Sequence, residues 1–224
     1  MIRHHLTDAL IMAYSAGTLP EAFNLVVATH VSLCDECRAR LESYDAVGGA
    51  LLDGMDDSID LSAGALEATL ARIAAMDCRQ APDKPKAMSA PLHAAAEPPV
   101  FPAPLRDYVG GDMGAVRWRP VGGGVRQALL PTSNEASVRL LQIPAGTSVP
   151  DHGHRGTELT LVLQGAFRDE YDRFGPGDIE IATEETHHTP VAEPGPDCIC
   201  LAATDAPLRF SGLLPRLAQP FLRI

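Results

Sequence analysis

The sequence predicts a chain of two domains of different class, a helical bundle followed by a jelly-roll β-barrel. Hydrophobic residues recur at helical spacing from about residue 7 to 77. A proline- and alanine-rich stretch then erases that period, and beyond Leu105 short branched runs alternate with glycine and proline turns. The expected boundaries are 1–80 for the helical domain, 81–103 for a linker and 104–224 for the barrel.

Thr7 is placed to cap a first helix carrying Leu10, Ile11 and Tyr14 and stopping near Gly17. Thr18-Leu-Pro-Glu21 matches a capping box, with Thr18 as cap and Glu21 at the third helical position. The second helix then carries Phe23, Val26, Val27 and His30, and its continuation past Cys34 gives a third with Leu41, Tyr44 and Val47. Ser62 is placed to cap a fourth helix whose Leu66, Leu70 and Ile73 form one apolar stripe. Three helices make a small core, so this stripe either completes a four-helix bundle or faces a partner. The prolines clustered between Pro82 and Pro104 make that segment semi-extended. The expected strands are Val138–Ile143, Leu159–Leu163, Ala166–Tyr171, Asp178–Ala182 and Cys198–Ala202, a density of short strands that indicates a sandwich or jelly roll.

The chain has 224 residues, 46% of them hydrophobic, enough for packed cores. A net charge of -11 argues against nucleic-acid binding, which needs a surplus of Lys and Arg. It suits docking on a basic surface, such as a face of a DNA-binding protein, or simply keeps the chain dispersed. No apolar run approaches the ~18 residues of a membrane span, and the N-terminus lacks the apolar core of a secretory signal. Five cysteines with a close Cys34/Cys37 pair do not form an extracellular disulfide framework, so the expected compartment is the cytoplasm.

Two sets of metal-ligand residues stand out. In a continuous helix His30, Cys34 and Cys37 fall on one face, and a fourth ligand from outside closes a tetrahedron. His5 is the better-placed donor and His4 its adjacent rival. His5, His30, Cys34 and Cys37 make a Cys2His2 set suited to Zn2+ with no position left for substrate. A redox dithiol at Cys34-x-x-Cys37 is the rival reading, but such motifs open a helix after a strand, and here helix precedes Cys34. In the second set, His152-x-His154 places two imidazoles on one strand face, and Glu158 follows after a glycine-containing turn. His188 or His187 supplies a further ligand from a distant strand. Three histidines and a carboxylate accept zinc, iron, manganese or nickel. Cys198 and Cys200 alternate onto one side of a strand, either as small buried apolar side chains or as thiols near the metal. Cys78 has no partner in the sequence.

Residues 1–77, through His30-x3-Cys34-x2-Cys37 and the four-helix layout, resemble the zinc-binding domain of bacterial anti-sigma factors. Gly146-x5-His152-x-His154-x3-Glu158-x6-Gly165 is similar to the first cupin motif at every spaced position, and Pro176-Gly-Asp178 opens a loosened second one. Across nearly its full length the chain resembles ChrR-type anti-sigma factors. Leu25-Val-Val-Ala-Thr-His-Val-Ser-Leu-Cys-Asp-Glu-Cys37, Pro150-Asp-His-Gly-His-Arg155 and Asp197-Cys-Ile-Cys-Leu-Ala-Ala-Thr-Asp205 carry that resemblance. It implies His188 at the His-Thr-Pro step as the last barrel ligand, and zinc there. It further implies a 1:1 complex with an extracytoplasmic-function sigma factor, a partner released in response to singlet oxygen and related oxidants, and no enzymatic role. The alternative is a cupin metalloenzyme, a dioxygenase or isomerase, with a regulatory zinc domain.

Overall fold

The computed structural model describes residues 1–54, 62–77 and 98–212. Cys78 and most of the expected linker, residues 81–97, lie outside the described residues. Helix α1 (Asp8–Ser15) starts as its sequence requires, the Thr7 hydroxyl accepting from the Leu10 N–H at 3.3 Å. Helix α2 (Glu21–Leu33) does not use the expected capping box. Pro20, which has no N–H to return to Glu21, takes the cap position, and the Thr18 hydroxyl donates to Ala13 O. The Glu21 carboxylate is thereby free to accept from Tyr108 Oη at 2.9 Å and from the Ser133 N–H at 2.7 Å.

The expected continuous helix through Cys34 is broken at that residue, which has φ -108 and ψ 105. Cys34 closes α2 through its N–H on His30 O and opens α3 (Asp35–Asp53), its sulfur accepting from the Cys37 N–H at 3.5 Å. A soft side chain thus does the work of an N-cap, and the Cys37 N–H in the first turn of α3 points at a sulfur. Helix α4 (Ala65–Asp77) begins three residues after Ser62, whose carbonyl accepts from the Ala65 N–H across a turn in which Gly64 has φ 81.

Helix α5 (Ala103–Val109) precedes the strands β1 (Arg119–Gly122), β2 (Val125–Leu130), β3 (Ser137–Ile143), β4 (His152–Gly153), β5 (Glu158–Gln164) and β6 (Phe167–Arg168). They are followed by β7 (Arg173–Phe174), β8 (Ile179–Ala182), β9 (His187–His188), β10 (Val191–Ala192), β11 (Cys198–Thr204) and β12 (Arg209–Phe210). All pairings between these strands are antiparallel, in a six-stranded sheet β1-β2-β3-β11-β5-β8 and two three-stranded sheets, β10-β6-β7 and β12-β4-β9. The expected strand Ala166–Tyr171 shortens to β6 because the Asp169 carboxylate accepts from the Tyr171 and Asp172 N–H groups and turns the chain.

Met1–Ala50 and the chain from Pro99 onward form one compact unit, and Leu51–Pro98 form a second. Within the first unit, helices and barrel share a core. Leu6, Ile11, Phe23, Val26 and Val27 pack in one cluster with Leu140, Leu159, Leu161, Ile199, Leu201 and the α5 side chain Leu105. The opposite face of the large sheet, with Ile143, Val162, Cys198 and Cys200, meets Phe167, Phe174 and Ala192 of the β10-β6-β7 sheet. Both faces of β11 are therefore covered, which explains why Cys-Ile-Cys-Leu-Ala-Ala-Thr is apolar without alternation. Leu201 sits opposite Leu140 and Leu161 at the centre of this arrangement. Leu201→Ala is expected to cost about 2–5 kcal/mol, read as a lower urea midpoint at unchanged slope.

Candidate metal centres

The break at Cys34 gathers the first set of ligands. His5 Nδ1 lies 3.2 Å from Cys34 Sγ and 3.7 Å from Cys37 Sγ, and His30 Nε2 lies 3.3 Å from Cys37 Sγ. All four ligand atoms fall within 4.8 Å of one another. Ligands sharing a tetrahedral zinc stand about 3.5 Å apart, so the donor set and its spacing both fit that ion. His4 points elsewhere, its Nε2 3.0 Å from Asp172 Oδ2. Burial lowers the His30 pKa to about 4 and keeps the ring neutral, as a ligand must be. Burial, with Cys34 alongside, pushes the Cys37 thiol up to about 11, so a thiolate there requires a cation close by. Arg40 binds the Asp8 carboxylate and donates to Leu6 O at 3.0 Å, tying α3 to the start of α1.

The second set forms where β4 pairs with β9, placing His152 opposite His188. His188 Nε2 is 3.2 Å from His152 Nε2 and 3.3 Å from His154 Nε2. Outer partners fix the ring orientation. His152 Nδ1 donates to Pro150 O at 2.8 Å, and His188 Nδ1 faces Asp169 Oδ2 at 2.9 Å and Glu180 Oε1 at 3.0 Å. The three Nε2 atoms converge on one point, at the ~3.3 Å spacing of nitrogens sharing a tetrahedral metal, and binding there would displace a proton from His188 Nε2. Burial and the neighbouring imidazoles hold His152 and His154 at about 4. Burial also pulls on His188, but Glu180 and Asp169 outweigh it and raise that ring to about 9. Burial pushes Glu180 up to about 7. His187 turns outward, 3.2 Å from Asp151 Oδ1.

Glu158 does not join the three imidazoles. Its carboxylate accepts from Thr160 Oγ1 at 3.1 Å, and burial raises its pKa against the pull of Arg139. It lines the same cavity of about 530 Å³ as His152, His188, Glu180 and Cys200. Cys198 and Cys200 are both buried, with their sulfurs 3.5 Å apart. Their mutual hydrogen bond and burial push the Cys200 thiol well above its usual range. Asp169 and Glu180 escaped the reading of the sequence. For Glu180 a signal existed, an acidic residue alone inside Ile179-Glu-Ile181. Asp169 carried no such mark.

The family model of the ChrR cupin-like domain matches residues 107–207. The anti-sigma-E factor ChrR of Cereibacter sphaeroides is 62% identical over 223 residues, which cover 100% of this chain and 99% of that relative. A crystal structure of Rhodobacter sphaeroides SigE in complex with the anti-sigma ChrR aligns with a TM-score of 0.76 and 59% identity, covering 92% of this chain and 100% of the matched one.

Proposed function

The chain belongs to the ChrR family of anti-sigma factors, and from that premise we propose that it sequesters an extracytoplasmic-function sigma factor in a 1:1 complex and frees it under oxidative stress such as singlet oxygen. The observation that carries this reading is the similarity, over 92% of the chain, to a protein solved together with SigE. The surface of α4 supports it: Leu66, Leu70 and Ile73 are 66%, 56% and 56% exposed, and no described residue of that helix is buried. An isolated helix of 13 residues is marginal in water, so an apolar stripe left open on one invites a partner. The protein is a regulator rather than an enzyme, and the reading as a cupin dioxygenase or isomerase is not favoured.

In this proposal residues 1–80 grip the sigma factor, 104–224 sense the signal and 81–103 join them. His5, His30, Cys34 and Cys37 hold a structural zinc. His152, His154 and His188 hold zinc or another divalent ion, and Glu158, whose carboxylate turns to Thr160 in the structure, would become the fourth donor only by a change of side-chain rotamer. That ion supplies a fixed positive charge and Lewis acidity to the floor of the barrel cavity. Among the described residues no helix is long and apolar enough to cross a membrane, and a partner that works on RNA polymerase places the protein in the cytoplasm.

Co-expression of the full chain with a candidate sigma factor tests the reading. One complex of 1:1 mass with two metal ions per copy of this chain is expected. His188→Ala should lose one ion and keep the partner. A folded, metal-loaded chain that elutes without any sigma factor would sink the proposal.

A further inference from the structure

Residues 2–5 carry the chain from the barrel to the thiol cluster. The N–H groups of Arg3 and His4 both donate to Asp178 Oδ1, at 2.6 and 3.0 Å, and the Gly175 N–H donates to Oδ2 at 2.9 Å. The His4 carbonyl accepts from the Ile179 N–H at 3.4 Å, and the His4 ring lies 4.4 Å from that of Phe174. Ile2 covers Gly177 so closely that a Cβ there would stand 2.6 Å from Ile2 Cδ1. The next residue along is His5, with Nδ1 on Cys34 Sγ. Asp178 itself is 4% exposed.

We propose that Asp178 is a positioning residue for the thiol cluster, so that the barrel sets the metal affinity of a site whose four ligands all lie in the helical segment. The inference rests on the reading of that cluster as a zinc site. Of the four ligands, His5 alone precedes any helix and has no helical backbone to hold it in place. Two N–H groups on one buried carboxylate supply the missing restraint and remove chain freedom that metal binding would otherwise have to remove. Linkage is reciprocal, so metal at the cluster strengthens the hold of residues 2–5 on the barrel. Two residues past Asp178, Glu180 of β8 faces His188 Nδ1 at 3.0 Å.

Cobalt(II) titration of the full chain, with zinc competition, reports on the cluster through thiolate-to-cobalt charge-transfer absorption, because among the described residues only Cys34 and Cys37 stand in a candidate ligand group. Asp178→Ala and Ile2→Glu are expected to weaken cluster affinity by about tenfold or more, the range seen when an outer partner of a ligand is lost. Asp178→Asn keeps a carbonyl acceptor and should stay within about threefold of the parent protein. Ile2→Glu changes no barrel residue, and retention of metal at the three-histidine centre checks that the barrel stays folded. Unchanged affinity in either Asp178→Ala or Ile2→Glu overturns the proposal. So does equal loss of metal from the three-histidine centre, the mark of general unfolding. Absence of the thiolate band in the parent protein overturns the zinc reading, and this inference with it.

Discussion

Cys37→Ser is expected to remove one of the two proposed metal ions and to weaken the sigma complex at least 100-fold, about 2.7 kcal/mol. Cys37 is fully buried, between His30 Nε2 and His5 Nδ1. A serine hydroxyl is shorter, stays protonated at neutral pH and is a poor zinc donor. In small zinc peptides the metal supplies on the order of 10–16 kcal/mol of folding free energy. The effect here should be more local, because α2 is also held by Val26 and Val27 in the core shared with the sheet. Amide exchange should therefore rise in α1 and in the first turns of α3, while β3, β5 and β11 stay protected. Retention of both ions together with unaltered partner affinity would falsify the assignment of this cluster.

The double substitution Leu66→Ala/Leu70→Ala should weaken sigma binding by at least 100-fold with almost no change in the stability of the free protein. Both side chains are more than half exposed, so truncating them removes no packing from the free chain. Alanine is also the stronger helix former, which separates loss of contact from loss of helix. A pair of leucines buried in a partner groove is worth about 3 kcal/mol or more, which is at least 100-fold in Kd. Isothermal titration with the purified sigma factor reads the affinity and thermal melts of the free chain read the stability. An unchanged Kd would remove α4 from the interface.

Much of this was legible because period and spacing are local properties. Thr7 caps α1, β3 and β5 begin within a residue of their expected starts, and the spacing of the histidines and cysteines points to the residues that gather as His5, His30, Cys34 and Cys37 and as His152, His154 and His188. What escaped depends on atoms far apart in the chain. Glu21 reads as half of a capping box until the barrel offers it Tyr108 and Ser133. The shared core was hidden for the same reason. An apolar stripe on α2 shows that something covers it, not that the cover lies more than a hundred residues later. Glu158 shows the reverse case, a residue with motif spacing whose carboxylate turns to Thr160.

The compact unit built from Met1–Ala50 and the chain after Pro99 also imposes an order in time. At a synthesis rate of roughly 5–20 residues per second, the ribosome needs roughly 8–30 s to travel from Ala50 to the end of β11 at Thr204. For most of that interval α2 has left the ribosome while the sheet that covers Val26 and Val27 does not yet exist. The helical segment thus spends its first seconds with an uncovered apolar face and with His5 lacking the carboxylate of Asp178. A sigma factor that reaches the nascent chain in that state meets it before the barrel can restrain it.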